Sequence, residues 1–412
     1  MKKSTVMTEG VIWKEILFFS IPLILGNLFQ QLYNTVDSII VGNYIGSEAL
    51  AAVGSSSSII NLLIGFCIGA SAGAGVVISQ FYGAGDKNGL RKAVHTTVAI
   101  SIAAGVILTV AGILNAVGNS RRSLVYLMIA AFSNIVLDIL FVIVLKMGIV
   151  GAALATDISQ LLSCVFIILY LVKSKEVYHV NIKEIRFYDN LLSKIIRIGL
   201  PTGIQNIVIS FSNVIVQSSV NSFGAVAMAG FAAYIKIDGF NILPVLSFGM
   251  AAATFTGQNV GAGKYDRVKK GMYVSVGMGV VYTILTGILL LTFAPQVIGV
   301  FTKNPDVVGY GVYIMRFFCP FYWLLGILQV LSGTIRGAGK TLETMLVFLF
   351  SLCILRVAWI WGALAIEHKL DWVMTAYPVS WLVGAVLILL YAWKGNWMPG
   401  RRKKDAAMPL SS

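Results

Sequence analysis

Asp37 sits within the apolar stretch LGNLFQQLYNTVDSIIVG. A carboxylate at mid-bilayer costs about 2.5–3.5 kcal/mol on insertion scales, so by default its presence points to work on an ion. It can take up and release a proton, or hold a small cation. A polar stripe leads to it: Asn27, Gln30 or Gln31, Asn34 and Asp37 recur at spacings of three and four and share one helix face. In LVYLMIAAFSNIVLDILFV, Asn134 and Asp138 lie four apart on one face, with Asp138 near the middle of the run. Thr156 and Asp157 open the polar patch of the next apolar run. A second stripe comprises Asn206, Ser210, Asn213 and Gln217. In hydrocarbon such faces turn toward protein or a watery cavity, because an unsatisfied polar group there costs several kcal/mol. Hydrogen bonding between helices is the other use of these amides. Lys236 and Asp238 fall in AGFAAYIKIDGFNILPVLSFG. Two residues apart, they do not share a face. Either the lysine bends back to neutralise the acid, or the two serve substrate or coupling; Arg356 offers Asp238 a further partner.

Other chemistries have no support. His95, His179 and His368 lie at span ends or loops, outside any nucleophile or metal constellation. Cys67, Cys164, Cys319 and Cys353 lack CxxC spacing and a histidine neighbour, so neither disulfides nor a metal site is expected. GAGDKNG and GAGK fall short of a phosphate loop and follow no strand, which excludes nucleotide binding. An enzyme is not expected, and neither is a cofactor beyond a coupling ion. Energy must come from an ion gradient.

The elements that position these residues are membrane spans. Of the 412 residues, 58% are hydrophobic and 12% charged, with mean hydropathy +0.85. Soluble chains run nearer one quarter charged. Apolar runs of about 20 residues recur, each long enough to cross ~30 Å of hydrocarbon. Eleven spans are expected near 16–41, 53–81, 93–117, 124–145, 149–172, 195–220, 227–256, 272–294, 308–332, 342–364 and 371–394. The opening has Lys2 and Lys3 but no small-residue cleavage site, and reads as a retained first span. Of the 31 Lys and Arg, 25 collect in one set of connections that all ask to be cytoplasmic. That bias, rather than nucleic acid, accounts for the net charge of +14.

The chain repeats. IPLILGN (21–27) matches LPTGIQN (200–206) at an offset of 179, and SQFYGAGDKNGLRKA (79–93) matches GQNVGAGKYDRVKKG (257–271) at 178. Farther on, ILYLVK (168–173) matches LLYAWK (389–394) at 221. The halves are parallel repeats about an axis along the membrane normal, as in many secondary transporters. The offset rises from 178 to 221, a difference of 43, so the first half lacks 43 residues between about 98 and 114 that its partner keeps. Asp37, Asn134 and Asp138 correspond to Val216, Leu355 and Trp359, which confines the acidic set to the first half.

Residues 93–117 then pose a topological problem. As one helix they reach about 37 Å, enough to cross once, whereas two equal arms reach about 18 Å each. A single crossing would set the basic loops on opposite sides, against the positive-inside bias. The expectation is one helical span in a topologically frustrated chain.

The opening IPLILGNLFQQLYNTVDSIIVG, the paired motifs QFYGAGDKNGLRKA and GQNVGAGKYDRVKK, AVGNSRRSLVYLMIAAFSNIVLDILF, GIVGAALATDIS and SGTIRGAGKT resemble the multidrug and toxic compound extrusion (MATE) family. The match covers nearly the whole chain. The resemblance implies an all-α polytopic membrane protein of two pseudo-symmetric helical bundles, with twelve helices in the family and about eleven here. It also implies an antiporter that extrudes lipophilic, often cationic compounds in exchange for H⁺ or Na⁺. The family's first-lobe ion residues map onto Asp37, Asn134, Asp138 and Thr156. Substrate-cleft candidates are Gln30, Gln31, Asn34, Asn206, Asn213, Gln217, Lys236 and Asp238.

The expected organisation is a first lobe over 1–172, a cytoplasmic linker over 173–197, a second lobe over 198–394 and a cytoplasmic tail over 395–412, in a multi-pass protein of the inner membrane. The expected partners are a small organic substrate and the bilayer, with no nucleic acid, and the chain is expected to act as a monomer. Two other readings stand beside transport of drugs: flipping of a lipid-linked precursor, and a non-transporting derivative left by the lost block.

Overall fold

Out of water, a helix is the structure that satisfies every backbone N–H and C=O within its own segment, and the long apolar runs fold accordingly. The computed structural model describes residues 7–45, 47–103 and 108–398. The opening lysines, the centre of the shortened region at 104–107 and the basic tail from 399 lie outside the described residues.

The first half runs α1 (Ile12–Tyr44), α2 (Ser47–Ala84), α3 (Lys87–Ala103), α4 (Leu108–Ala116), α5 (Ser120–Asp138) and α6 (Gly148–Lys173). The second runs α7 (Asp189–Asn221), α8 (Ala225–Gly261), α9 (Tyr265–Thr292), the short α10 (Ala294–Gly299), α11 (Pro305–Phe318), α12 (Tyr322–Gly337), α13 (Thr341–Phe348), α14 (Arg356–Ile366) and α15 (Leu370–Lys394). Two joins are π-helical: Ile139–Val144 continues α5, and Leu349–Leu355 links α13 to α14. Among the described residues ten segments are long and apolar enough to cross a membrane. Hydroxyls within them bond back along the helix, as Ser20 Oγ does to the Ile16 carbonyl (2.7 Å) and Thr202 Oγ1 to that of Ile198 (3.2 Å).

The repeat is visible in the backbone. Pro22 and its counterpart Pro201 both lie inside helices. Gly85 and Gly263 turn the chain at φ 68° and 70°, and Gly118 and Gly339 at 82° and 87°. Two compact units result: Met1–Gly203 with Gly257–Ala262, and Ile204–Thr256 with Gly263–Ser412. In the first unit, the ridge of small residues on α2 packs against α7. A Cβ on Gly69 would lie 2.1 Å from the Gly203 nitrogen, and one on Gly73 2.5 Å from the Gly199 Cα. Small residues let backbones meet this closely where no hydrophobic force drives helices together.

The segment 93–117 is not the single span expected. It forms α3 and α4, and both ends return to the same place. Arg91, near the start of α3, pairs with Glu184 of the linker, and His95 Nε2, midway along α3, accepts the Asn181 N–H (2.9 Å), while Asn119, just past α4, donates from Nδ2 to the Tyr178 hydroxyl (3.4 Å). Leu90, Val94 and Val98 of α3 share one core with Ile113 and Leu114 of α4, Val77 and Ile78 of α2, Leu171, and Tyr178 and Val180 of the linker. Burial, with a hydrogen bond to Tyr170, holds the Tyr178 phenol pKa above its usual value, so the hydroxyl stays protonated within this cluster. The hairpin is re-entrant. Its arms are unequal, 17 and 9 residues, about 25 and 14 Å at the helical rise. The length argument failed because it began the first arm at 93, whereas α3 starts at Lys87, and because it assumed equal arms. The second arm need not cross: it lies on α2, where a Cβ on Gly112 would meet the Ser71 Oγ at 2.5 Å. With both ends on one side, the basic loops keep a common side and the topological conflict disappears.

Candidate functional site

In the first unit α5 packs between α1 and α6, which brings three of the four candidate ion residues together with the fourth. Asn134 and Asp138 are both fully buried on α5. Asn134 donates from Nδ2 to the Thr156 hydroxyl on α6 (3.3 Å). Asp37, on α1, is near enough to Asp138 for their charges to interact. Asp157 is exposed and takes no part. Asp138 is also the last α-helical residue before the π-helical turn Ile139–Val144. Such turns widen a helix locally and recur at functional sites.

The chemistry is written in what these groups lack. Asp37 Oδ1, Asn134 Oδ1 and both carboxylate oxygens of Asp138 are buried, and none has a hydrogen-bond partner among the described residues. A buried acceptor left unsatisfied costs about 1–3 kcal/mol, and more when charged. Four in one place is an arrangement that a proton or a small hard cation would satisfy, since both are taken by oxygen. Tyr33 and Gln160 complete the surroundings: Gln160 donates from Nε2 to the Tyr33 hydroxyl (2.9 Å), and Tyr33 also bonds Gln30 and senses the Asp37 charge. Neither was singled out from sequence, although Tyr33 stands four residues before Asp37, on its face. Among the stripe residues of α1, Gln30 and Gln31 are half-buried and Asn34 is exposed.

The second unit differs from expectation in its charged groups. Lys236 is exposed and does not pair with Asp238, because residues two apart on α8 point to opposite sides of the helix. Arg356 does not pair with Asp238 either. Asp238 instead accepts a hydrogen bond from the Tyr322 hydroxyl (2.6 Å), which itself lies 2.6 Å from the Tyr234 hydroxyl. Arg356 is 2% exposed. It donates to the Ser380 hydroxyl from Nε (3.1 Å) and Nη2 (2.9 Å), and from Nη1 to the Asn213 carbonyl oxygen (3.4 Å). Its guanidinium carbon stands 4.3 Å from the centre of the Tyr377 ring. Neither charge has an opposite charge within 4.0 Å among the described residues. Between them lie packed rings, with Phe318 4.9 Å from Tyr234 and 4.5 Å from Tyr377, and Trp381 5.8 Å from Tyr322. Of these residues only Tyr234 left a signal in sequence, as the i−4 neighbour of Asp238. Of the α7 stripe, Asn213 serves Arg356, Gln217 donates to Asn221 (2.9 Å) and Asn206 is half-buried.

The MatE family model matches residues 22–116 and 201–361, one stretch in each half. The chain is 28% identical to the probable multidrug resistance protein YpnP of Bacillus subtilis, over 85% of this chain and 88% of that one. It is 27% identical to the probable multidrug resistance protein YoeA of the same organism, over 93% and 94%. In fold it is similar to a solved MATE structure in complex with MaL6, with TM-score 0.88 at 23% identity, covering 98% of this chain and 99% of that one.

Proposed function

Because the chain belongs to the MatE family of multi-pass membrane transporters, we propose that it is an antiporter that exports small lipophilic or cationic organic compounds in exchange for H⁺ or Na⁺. The observation that carries this reading is the set of four buried, unpartnered oxygens on Asp37, Asn134 and Asp138.

Two carboxyl groups close together and away from water need a proton or a metal cation to neutralise them. With one H⁺ or Na⁺ bound, the carboxylate pair carries one negative charge instead of two; with the cation released, the added charge favours water or a cationic substrate. Exchange follows if the two states favour opposite accessibility, which is the energetic content of alternating access. Asp37, on a helix whose stripe continues through Asn34 and Gln31, is the main carrier. Asn134 and Asp138 fix the second half of the site, and Thr156 orients Asn134. In the first unit Gln30, Gln31 and Asn34 offer hydrogen bonds to substrate; in the second, Lys236, exposed on α8, biases which charge is accepted. The basic loops support an orientation with those loops on the cytoplasmic side of the membrane.

The test is purified protein in liposomes preloaded with a fluorescent lipophilic cation. Imposing an inward H⁺ gradient or an inward Na⁺ gradient should drive export of the dye, and dissipating the gradient should stop it. If neither gradient moves the dye faster than in empty liposomes, the proposed exchange is wrong.

A further inference from the structure

At the base of the re-entrant hairpin lies an open cavity of ≈ 480 Å³ lined by Lys87, Asn88 and Arg91 of α3 and by Val177 and His179 of the linker. We propose that this cavity binds the headgroup of an anionic phospholipid and that the lipid holds the hairpin at its depth in the bilayer.

Charge is the first ground. Lys87, Arg91 and His179 converge on one cavity; Arg91 pairs with Glu184, and the Asp86 carboxylate beside Lys87 is taken by the Gly89 N–H (2.9 Å). Lys87 has no carboxylate within 4.0 Å among the described residues.

The second ground is the wall of the cavity. His179 Nδ1 is buried and has no hydrogen-bond partner among the described residues. That nitrogen is shielded, and the ring lines the cavity through its remaining atoms. Its neighbour His95 is already committed: Nδ1 lies 2.7 Å from the Arg91 carbonyl oxygen, and Nε2 accepts the Asn181 N–H. With Nδ1 as the donor, His95 ties α3 to the linker and fixes the wall of the cavity.

Level and surroundings give the third ground, and they select a lipid over a soluble anion. α3 carries Lys87, Arg91 and Lys92 near its start and no Asp, Glu, Lys or Arg from Ala93 to Ala103, so the cavity stands at the charged end of the hairpin. The linker beside it exposes large apolar side chains, Val177 at 42%, Ile182 at 68% and Phe187 at 47%. Cationic and apolar side chains exposed together are the signature of a surface lying among headgroups and upper acyl chains. Basic pockets at such ends of membrane helices suit phosphate-bearing headgroups.

The hairpin gives the contact a purpose. A helix that crosses the bilayer has its depth set by the match of its apolar length to the hydrocarbon. Arms of 17 and 9 residues that enter and leave on one side have no such constraint. A headgroup gripped at the base supplies one.

The experiment uses the full chain, delipidated in detergent and titrated with phosphatidylglycerol or phosphatidylcholine under native mass spectrometry, with thermal unfolding in parallel. Phosphatidylglycerol should bind more tightly and raise the unfolding temperature. Inorganic phosphate at the same concentration should do neither and should not displace the lipid. Lys87→Gln with His179→Gln should weaken phosphatidylglycerol binding on the order of tenfold. Lys269→Gln with Lys270→Gln, near the start of α9, the counterpart of α3 in the second repeat, should leave it unchanged. Val177→Glu adds a negative charge to the cavity lining and leaves Lys87, Arg91 and His179 in place. It should reproduce the loss, and it serves if the double variant does not fold. Equal binding of the two lipids, equal loss in the Lys269/Lys270 variant, or displacement by inorganic phosphate would each overturn the proposal.

Discussion

Gly83 and Gly261, equivalent positions of the two repeats, meet at one helix crossing, and replacing either with alanine should destabilise the protein. A Cβ on Gly83 would lie 1.9 Å from the Gln258 carbonyl oxygen and 2.6 Å from its Cα. A Cβ on Gly261 would lie 1.9 Å from the Gln80 carbonyl oxygen and 3.0 Å from its Cα. The obstacles are backbone atoms, so no side chain can swing away, and α2 and α8 must part by about 1 Å, an overpacking cost of about 1–3 kcal/mol. Parting them also strains bonds made at the crossing. Gln258 accepts the Met7 N–H (2.9 Å) and donates to the Ala116 carbonyl (3.1 Å), and Asn259 donates to the Met7 carbonyl (3.2 Å). Such bonds contribute about 1 kcal/mol each. Against this stands a gain of about 1 kcal/mol in helix propensity from Gly to Ala. The expected net loss is about 2–4 kcal/mol for each single variant. The double variant should lose less than the sum, by about 1–2 kcal/mol, because one separation makes room for both methyl groups. Unfolding of the purified protein, followed by tryptophan fluorescence in detergent, reads these values. Gly85→Ala, where a Cβ meets nothing but φ is 68°, is the control for backbone strain alone. A neutral Gly83→Ala, or strict additivity in the double variant, would refute the reasoning.

Cysteines placed singly at Lys92 and Arg121 should show the same accessibility to an impermeant thiol reagent in intact cells, and opposite accessibility would mean that 93–117 crosses the bilayer once. Arg356→Ala removes the donor on which Ser380 and Asn213 converge and opens a cavity, and it should lower stability by about 2–4 kcal/mol in the same unfolding assay. Asn134→Ala and Asp138→Asn should both abolish gradient-driven export in liposomes, whereas Lys236→Ala should only change the relative rates for cationic and neutral substrates.

The polar stripe, the Asn134–Asp138 pair and the repeat were legible because each is a matter of spacing: a helix places residues three or four apart on one face whatever surrounds it. The surroundings of Asp238 and Arg356 were not. Tyr322 is 84 residues from Asp238, and Asn213 and Ser380 are 143 and 24 residues from Arg356. No period in the sequence links residues so far apart; only helix packing brings them together. The re-entrant hairpin lay between these cases. Its basic ends announced a common side, and the count of apolar residues obscured it because α3 draws its first turns from the polar segment KNGLRK. The Gly83–Gly261 crossing was half visible. The repeated QxxG motif stood in the sequence, and the mutual contact of its two copies needed the fold.

The most direct test of ion-coupled export through the first unit is gradient-driven efflux by Asp37→Asn, with expression and folding checked alongside. The amide keeps the size of the carboxyl group but neither releases a proton nor brings a negative charge to a cation. The account predicts a folded protein at normal levels whose efflux no longer responds to the H⁺ or Na⁺ gradient. Efflux that keeps the parent's rate and its dependence on the gradient would contradict it.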